Sequence, residues 1–315
     1  MKKIFTTIAL SVAGLAAFSQ QDAQFSQNMF NQLDINPAYA GINHAYCATL
    51  LGREQWVNFP GAPKTFLFSG DAYIPGIGGG LGLTAYSDQL GFDKTFGAIL
   101  AYSYHIAAGP GVIGIGPELG IIQKSLSGAW LAPDGTNGAS DNSIPVTGVS
   151  SMTYDVGLGV YYSIQDQMYF GISTSHIPQQ SFTSGSYPSY QFDLARHYYV
   201  MAGYTFHATS DFDIMPSIFA KSDASSTQVD VNALIRYDKM VWIGVSYRPN
   251  DAIVALVGYQ HSFTNGSTVR IGYSYDITTS ELKTYSNGSH EIMLGYCFKI
   301  VPKSHIQSHQ TVRFL

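Results

Sequence analysis

Residues 290–300 read HEIMLGYCFKI, and their side chains alternate in character at every step. Successive side chains of a β-strand point to opposite faces, so one face of this stretch would be apolar with aromatic residues near its end. That apolar face would carry Ile292, Leu294, Tyr296, Phe298 and Ile300. The opposite face would carry small or polar residues, including Glu291 and Lys299. The stretch therefore predicts a strand between an apolar and a polar environment.

The same period of two recurs along most of the chain, in about fourteen segments between residues 43 and 300. Charged residues make up only 12% of the sequence, while about 25% is usual for soluble domains. A soluble β-sandwich would alternate too, but its polar face would need more charge. We therefore predict an all-β fold: a 14-stranded antiparallel transmembrane β-barrel of the outer membrane, with lipid outside and a polar lumen inside.

The lengths of the predicted connections follow the order of the strands. Short connections follow the even-numbered segments, and the longest connections follow odd-numbered ones. The long connections are residues 54–63, 125–151, 177–195 and 278–289. Outer-membrane barrels have short periplasmic turns and longer outer loops, so both chain ends are predicted to be periplasmic. Pro117 and Pro216 fall within predicted strands, where each removes a ladder donor, and they predict β-bulges.

The chain divides into four predicted parts. Residues 1–19 have the basic start, apolar run and small terminal residues of a secretory signal peptide. Residues 20–42 include the amide-rich, non-alternating stretch FSQNMFNQLDINPAYAG, from Phe25 to Gly41. We predict that this part plugs the lumen or lies at its periplasmic mouth. Residues 43–300 form the barrel, and residues 301–315 form a periplasmic tail.

The polar face of the predicted strands carries scattered charges. They could line a selective channel, or they could pair across strands and stiffen the wall. The predicted lumen-facing charged residues are Arg53, Asp71, Glu118, Asp155, Asp230, Arg236, Arg248, Arg270, Glu291 and Lys299.

Glycine is frequent on the same predicted face. Glycine weakens a strand, so inward glycines mark either the close approach of another backbone or the curvature of the barrel. They are Gly114, Gly116, Gly120, Gly157, Gly159, Gly171, Gly203, Gly244, Gly258, Gly272 and Gly295.

The two cysteines, Cys47 and Cys297, fall in the first and last predicted strands. Those strands must pair in a closed barrel, because an open edge in lipid would leave backbone groups unsatisfied. Both cysteines are predicted to face the lumen at the same height, with Cα atoms ~5–8 Å apart. They could form a disulfide across the seam or remain two small apolar fillers.

Composition and spacing disfavour several other functions. Sixteen Lys and Arg against 21 Asp and Glu give a net charge of −5, which argues against a nucleic-acid partner. His105 and His176 lie near strand ends without the spacing of a catalytic triad. His305 and His309 are four residues apart, but the tail shows no helical pattern that would bring them together. We therefore predict no catalytic residues, no metal site and no cofactor.

Three longer stretches resemble a known family. They are FSQNMFNQLDINPAYAG (25–41), REQWVNFPGAPKTFLFSGDA (53–72) and SHEIMLGYCF (289–298), followed by a terminal RFL (313–315). With them the chain resembles the PorP/SprF family of type IX secretion and gliding-motility outer-membrane proteins. The resemblance implies a barrel that retains a secreted adhesin through the adhesin's type B C-terminal domain. It also implies contact with periplasmic ring and peptidoglycan-binding components.

The expected function is therefore binding and not turnover, in the outer membrane of a Gram-negative cell with lipid around the barrel. Trp56, Phe59 and Pro60 in the first predicted outer loop are candidate partner-binding residues, because buried aromatic side chains dominate many interfaces. The alternative is a solute-conducting porin.

Overall fold

The computed structural model describes residues 22–127, 148–183 and 191–298. The predicted signal peptide (1–19), the predicted tail (301–315) and Lys299 lie outside these ranges.

The alternating segments form strands because each can bury one face and leave the other against lipid. The strands are β1 (Tyr46–Glu54), β2 (Lys64–Ile74), β3 (Gly79–Leu90), β4 (Asp93–Ala108), β5 (Gly111–Leu126), β6 (Val149–Ile164), β7 (Met168–Ser175), β8 (Ser181–Thr183), β9 (Gln191–Asp193), β10 (His197–Tyr204), β11 (Phe206–His207), β12 (Phe212–Ser222), β13 (Thr227–Tyr237), β14 (Val241–Arg248), β15 (Ala252–Ser262), β16 (Thr268–Thr278) and β17 (Ser289–Phe298). Short 3₁₀ helices occupy Pro37–Tyr39, Pro75–Ile77 and Glu281–Thr284.

Fourteen of the strands in the described ranges close into one antiparallel barrel, as predicted. Neighbours in the chain are neighbours in the sheet, and the sheet closes where β1 pairs with β17. The barrel strands are β1–β7, β10 and β12–β17. The two-residue β11 extends the edge of β10 along β12, and β8 and β9 form a separate hairpin in the connection between β7 and β10. The predicted all-β architecture is confirmed.

The outer face of the barrel is apolar along its strands. On β17, Ile292 and Leu294 are 58% and 47% exposed, whereas the intervening Met293 is 1% exposed. An apolar surface of this extent is the surface that lipid tails would cover. In the described part of the chain, no helix has the length and apolar character needed to cross a membrane.

The two ends of the barrel differ in their connections. We call the end that carries the start of β1 and the end of β17 the turn end; its connections are short, such as residues 75–78 and 109–110. We call the opposite end the loop end; it carries residues 55–63, 176–196 and 279–288. β1 begins at residue 46, three residues after the predicted boundary, because residues 41–44 form a turn with positive φ at Gly41 and His44.

The two strand prolines do not form bulges, so that prediction is wrong. Pro117 pairs with Leu158, while on the β4 side the ladder is interrupted for two residue pairs and resumes in the same register. Pro216 pairs with Ala233, and the β10 ladder is likewise interrupted beside it before β11 resumes that register. Each proline lacks an N–H and therefore leaves a gap in one ladder, but no extra residue is inserted.

The interior of the barrel is not uniformly polar, which differs from the prediction. One buried apolar cluster combines Phe25 with inward side chains such as Trp242 and Met293. A second combines Ala38 and Ile42 with inward side chains of the opposite wall. Residues that precede the first strand contribute to both clusters. They cover the inner wall, and apolar side chains can therefore be buried inside a barrel.

Candidate functional site

Residues 22–45, which we call the lumen segment, lie inside the barrel and run from the loop end to the turn end. Near the loop end, Ser26 contacts Glu291 at the start of β17. Near mid-height, the Ser69 hydroxyl donates to Asn31 Oδ1 at 2.7 Å. At the turn end, the Gly41 amide donates to Asp71 Oδ2 at 2.9 Å. Polar contacts therefore hold the segment to the wall at every height of the lumen.

The part of the lumen segment nearer the turn end is held by hydrogen bonds that involve backbone groups. The Asn36 side-chain amide donates to the carbonyl oxygens of Val160 and Ile172 at 3.0 and 3.1 Å, and its Oδ1 caps the 3₁₀ helix by accepting from the Ala38 amide at 3.0 Å. Ser103 Oγ in turn donates to the Ala38 carbonyl at 2.7 Å. An asparagine at this position satisfies both the wall and its own turn, since its amide both donates and accepts.

Some of the inward glycines make room for this segment. A Cβ on Gly114 would lie 2.2 Å from the Ala38 carbonyl oxygen, and one on Gly272 would lie 2.1 Å from Gln27 Oε1. Other inward glycines face side chains of neighbouring strands; a Cβ on Gly258 would lie 2.0 Å from Trp242. Glycine at these positions therefore permits close approach, in some cases of the lumen segment and in others of large side chains on neighbouring strands.

A buried ionic network lies at the loop end of the lumen. Arg53 binds Asp276 at 2.8 Å and Glu291 at 3.1 Å, and all three side chains are at most 2% exposed. Arg248 binds Asp230 at 2.8 Å and Asp276 at 3.2 Å. Two guanidinium groups thus neutralise three buried carboxylates only in part. Buried charges need compensation from further donors, or their desolvation would be strongly unfavourable.

The lumen segment supplies those further donors. The backbone amides of Ser26 and Gln27 donate to the two oxygens of Glu291 at 2.7 and 2.9 Å. Ser26 Oγ donates to Asp276 at 2.9 Å and accepts from Arg53 at 3.0 Å. Charge-assisted hydrogen bonds of this kind are among the stronger polar contacts in proteins. The buried carboxylates of the network therefore receive these additional donors only with the lumen segment in place.

Among the predicted lumen-facing charges, Arg53 and Glu291 face each other directly in register and form an ion pair. Arg236 likewise binds Asp213, which it faces across β12 and β13, at 2.7 Å. Arg270 instead donates to the Gln260 side chain at 3.1 and 2.9 Å. Pairing across strands thus describes part of the set of predicted lumen-facing charged residues.

The other predicted positions have different surroundings. Glu118 is buried, and no ion pair joins it to another described residue. Asp155 lies 3.0 Å from His176. Sequence reasoning left Asp276 out of the predicted set, although its place in the alternation of β16 puts it on the inward face. It missed Ser26 because the lumen segment shows no period.

A second polar cluster lies on the opposite wall at the loop end. Asp22 Oδ1 lies 3.0 Å from His176 Nε2, and Asp22 Oδ2 lies 3.7 Å from His197 Nδ1 and accepts from the Tyr199 hydroxyl. Burial alone would raise the pKa of Asp22, but the two histidines and Tyr199 outweigh burial and hold that pKa well below its usual range. Sequence reasoning did not predict this cluster, because its residues come from distant parts of the sequence.

This cluster borders a cavity of about 80 Å³ between the lumen segment and the wall. Burial alone would lower the pKa of His176, but the neighbouring carboxylates of Asp22 and Asp155 outweigh burial and raise it to about 11. Asp34 also lines the cavity; burial, and then repulsion from Asp22, raise its pKa to about 7. A second cavity of about 230 Å³ lies toward the turn end and is lined by residues such as Arg270.

The cysteines lie at the seam. Cys47 faces Cys297 across β1 and β17, their Cα atoms are 4.1 Å apart, and the two sulfur atoms are bonded. Thr49 and Gly295, which neighbour them on the same inward face, line the turn-end cavity with them. The bond covalently joins the first strand to the last.

The candidate partner-binding residues lie in the first connection of the loop end. Phe59 and Pro60 are exposed, and Trp56 is half-buried. The backbone of Val57 exchanges hydrogen bonds with residues 287–288, at 2.8 and 2.9 Å, so the neighbouring connection supports this one. Trp56 has φ +50°, a left-handed conformation that costs about 1–3 kcal/mol in a non-glycine residue. The exposed ring of Phe59 is therefore presented by a supported, strained loop.

Comparison with known proteins identifies one family. The sequence model described as "Type IX secretion system membrane protein PorP/SprF" matches residues 17–296. No curated protein matches the sequence.

Several solved outer-membrane structures are similar in architecture at low sequence identity. Omp33 of Acinetobacter baumannii has a TM-score of 0.42 and 8% identity, covering 82% of this chain and 99% of its own. A FadL homologue of Pseudomonas aeruginosa has a TM-score of 0.48 and 9% identity, covering 81% and 89%. The toluene transporter TodX of Pseudomonas putida has a TM-score of 0.47 and 11% identity, covering 89% and 94%. What these proteins transport says nothing about this chain.

Proposed function

The chain belongs to the PorP/SprF family of type IX secretion system membrane proteins, and from this premise we propose that it retains a secreted adhesin at the cell surface. The adhesin would be held through its type B C-terminal domain. The barrel would sit in the outer membrane with its loop end outward, after removal of a signal peptide at residues 1–19. Its turn end would then meet periplasmic ring and peptidoglycan-binding components.

The observation that carries this proposal is the occupied lumen. The lumen segment donates to buried carboxylates at the loop end and to Asp71 near the turn end. Displacing it would leave Glu291 and Asp276 with fewer donors in a buried site, and uncompensated buried charge is strongly destabilising. A barrel filled in this way is suited to present its loops to a protein and poorly suited to pass solutes.

The first connection of the loop end supports a binding role. Phe59 is a large apolar side chain exposed beside Pro60, and hydrogen bonds to residues 287–288 hold the connection in place. A surface already ordered before binding loses less conformational entropy on association. We therefore assign Trp56, Phe59 and Pro60 to the adhesin-binding surface as part of this proposal.

The competing function is solute conduction. The turn-end cavity of about 230 Å³, with Arg236 and Arg270 in its lining, is the feature that favours it. In that case the lumen segment would have to move aside to open a path, and the charged side chains that line the cavity would set its ion selectivity. Planar-bilayer recording of the barrel can distinguish solute conduction from a closed lumen.

Affinity capture of the tagged barrel from outer membranes in mild detergent tests the binding function. We expect an adhesin C-terminal domain to copurify with the wild-type barrel. Phe59→Ala should weaken its binding at least about tenfold, as expected for loss of a hot-spot aromatic residue. Phe263→Ala removes an exposed aromatic ring at the turn end (46% exposed, against 36% for Phe59) and should leave adhesin binding unchanged. Equal loss in both variants, or capture without any adhesin, would contradict the proposal.

Planar-bilayer recording tests the occupied lumen. The wild-type barrel should show no steady large conductance, and a barrel lacking residues 24–36 should conduct. A large steady pore in the wild-type protein would favour the porin. Unchanged conductance after the deletion would mean that residues 24–36 do not close the lumen.

A further inference from the structure

Three metal-ligating side chains meet where the lumen segment begins. Asp22 belongs to that segment, His176 follows β7 directly, and His197 is the first residue of β10. One ligand atom from each lies within 4.8 Å of the others. The imidazole rings are only 4% and 2% exposed, while Asp22 is 35% exposed, so an ion could enter from the side of the carboxylate. The adhesin-binding proposal makes no use of this cluster.

In each histidine one ring nitrogen lies close to an acceptor oxygen, an arrangement that metal ligands share. His176 Nδ1 lies 3.0 Å from Asp155 Oδ2, and His197 Nδ1 lies 3.0 Å from the Ala195 carbonyl oxygen. A ligating histidine usually directs its second ring nitrogen to a carboxylate or a carbonyl in this way, which leaves Nε2 free for the metal. His176 Nε2 faces Asp22, and His197 Nε2 has no hydrogen-bond partner among the described residues.

We propose that Asp22, His176 and His197 bind one divalent transition-metal ion, best matched by Zn²⁺, which fastens the start of the lumen segment to the barrel wall. Two imidazoles and one carboxylate are a common zinc donor set. Bonds of ~2.0–2.1 Å in a tetrahedron separate ligand atoms by about 3.3 Å. The distance from Asp22 Oδ1 to His176 Nε2, 3.0 Å, is close to that value, and the ligand atoms of all three side chains lie within 4.8 Å of one another.

The surroundings are compatible with a fourth ligand and with a cation. Asp22 and His176 border the cavity of about 80 Å³, which has room for a water molecule in the fourth position. Tyr199 donates to the Asp22 carboxylate, and Lys221 Nζ donates to the Asp22 backbone oxygen at 3.2 Å, so neither displaces the histidines. A proton on His176 is the competing occupant. Binding of the ion would release that proton.

The test uses the full barrel purified in detergent without a polyhistidine tag and stripped with a chelator. Equilibrium dialysis against Zn²⁺ should give one ion per chain. Substitutions His176→Gln, His197→Gln and Asp22→Asn should each weaken binding at least tenfold, and Asp155→Asn should weaken it 10–100-fold through loss of orientation. His44→Gln, which changes an exposed histidine at the turn end, is the matched control and should bind as the wild type does.

Two further readouts make the result decisive. Heat-modifiable gel migration shows whether each variant folds. If a variant does not, the wild-type protein alone decides: Co²⁺ should give the visible absorption of a four- or five-coordinate nitrogen–oxygen site, and Zn²⁺ should displace it. Failure of the wild-type barrel to bind Zn²⁺ stoichiometrically would overturn the proposal. So would binding that survives unchanged in all three folded ligand variants, because the ion would then lie elsewhere.

Discussion

At the scale of single residues, buried charge is the dominant feature of this barrel. Alternation in the sequence predicts that Arg53, Arg248 and Glu291 point inward, and the structure joins them in one network at the loop end. A buried ion pair contributes little net stability compared with apolar packing, but removing one partner leaves the other uncompensated. Such residues are therefore sensitive to substitution even though they touch no ligand.

Arg248→Met should destabilise the folded barrel by about 3–5 kcal/mol, because Asp230 and Asp276 would lose their shared guanidinium. Urea unfolding of the barrel in lipid vesicles measures this. The control is Lys64→Ala, which removes the exposed pair with Glu54 and should change stability by about 0–1 kcal/mol. Similar effects of both changes would show that the network does not act as a buried unit.

Asp34 carries a pH-dependent prediction. Its pKa is raised from 3.8 to about 7 by burial and by Asp22, so the folded state binds the proton more tightly than the unfolded state does. Stability should therefore fall as pH rises from about 4 to about 7 and then level off. Asp34→Asn removes this loss. The variant should be more stable than the wild type by roughly 1–2 kcal/mol at pH 8, with little difference at pH 4.

Unfolding midpoints of both proteins across this pH range provide the measurement. The half-buried position of Asp34 beside a cavity keeps the expected gain below the value that the whole pKa change implies. A gain that is the same at pH 4 and at pH 8 would exclude titration of this carboxyl as its cause.

At the scale of elements, the strands follow local alternation, whereas the lumen segment depends on the wall around it. The segment has only one 3₁₀ turn, Pro37–Tyr39, and its remaining backbone bonds go largely to turns and to inward side chains. Inward glycines such as Gly80 and Gly114 let its backbone approach the strands closely. The strands and the lumen segment therefore have complementary surfaces, and a substitution in one should disturb the packing of the other.

Gly114→Ala should destabilise the barrel by about 1–3 kcal/mol, because the added Cβ would lie 2.2 Å from the Ala38 carbonyl oxygen and the segment would have to move. Gly76→Ala is the matched control, since no atom lies within 4 Å of its Cβ position. That control should be neutral or slightly stabilising. Urea unfolding compares the two variants. Equal stability would mean that the segment can shift at Ala38 without an energetic cost.

The pairing of β1 with β17 yields a separate prediction. Replacing Cys47 and Cys297 by alanine removes a bond between residues 250 positions apart and should lower stability by about 2–5 kcal/mol. Non-reducing mass spectrometry of the wild-type barrel should find the two cysteine peptides joined. Unjoined peptides would mean that the thiols remain reduced in the cell, and the double substitution should then have a small effect.

At the scale of the whole molecule, the barrel has two unlike ends. The turn end carries short connections, the start of β1 and the end of β17, while the loop end carries the longer connections and the buried network. Because the lumen segment starts at the loop end, it crosses the lumen before β1 begins. The proposed orientation would therefore bring the start of the segment close to the outer surface.

Cysteine labelling of intact cells tests this orientation. The native cysteines are bonded to each other and leave no free thiol in the described residues. Pro60→Cys at the loop end should react with a membrane-impermeant maleimide on intact cells. Asp166→Cys at the turn end should react only after the outer membrane is permeabilised. The reverse pattern would place the adhesin-binding loop in the periplasm and end the proposed function.

The sequence alone was enough to predict the barrel because alternation is a local property. Each strand needs only its own residues to show which face meets lipid, and the strand count, the two unlike ends and the nearness of Cys47 to Cys297 follow once the sheet must close. The predicted strand boundaries were less accurate, and the predicted bulges at the two prolines were wrong. Turns with positive φ and gaps in a ladder leave little trace in the alternation.

The tertiary structure alone decided how the lumen is filled. Ser26 meets Glu291 across 265 positions, and Asp22 meets His176 across 154, so no spacing in the sequence could indicate either contact. The lumen segment has no period because it has little regular secondary structure of its own, with one 3₁₀ turn at Pro37–Tyr39, and its residues contact different parts of the wall. The path of this segment, the completion of the ionic network and the cluster of Asp22 with two histidines therefore exist only once the barrel has closed around them.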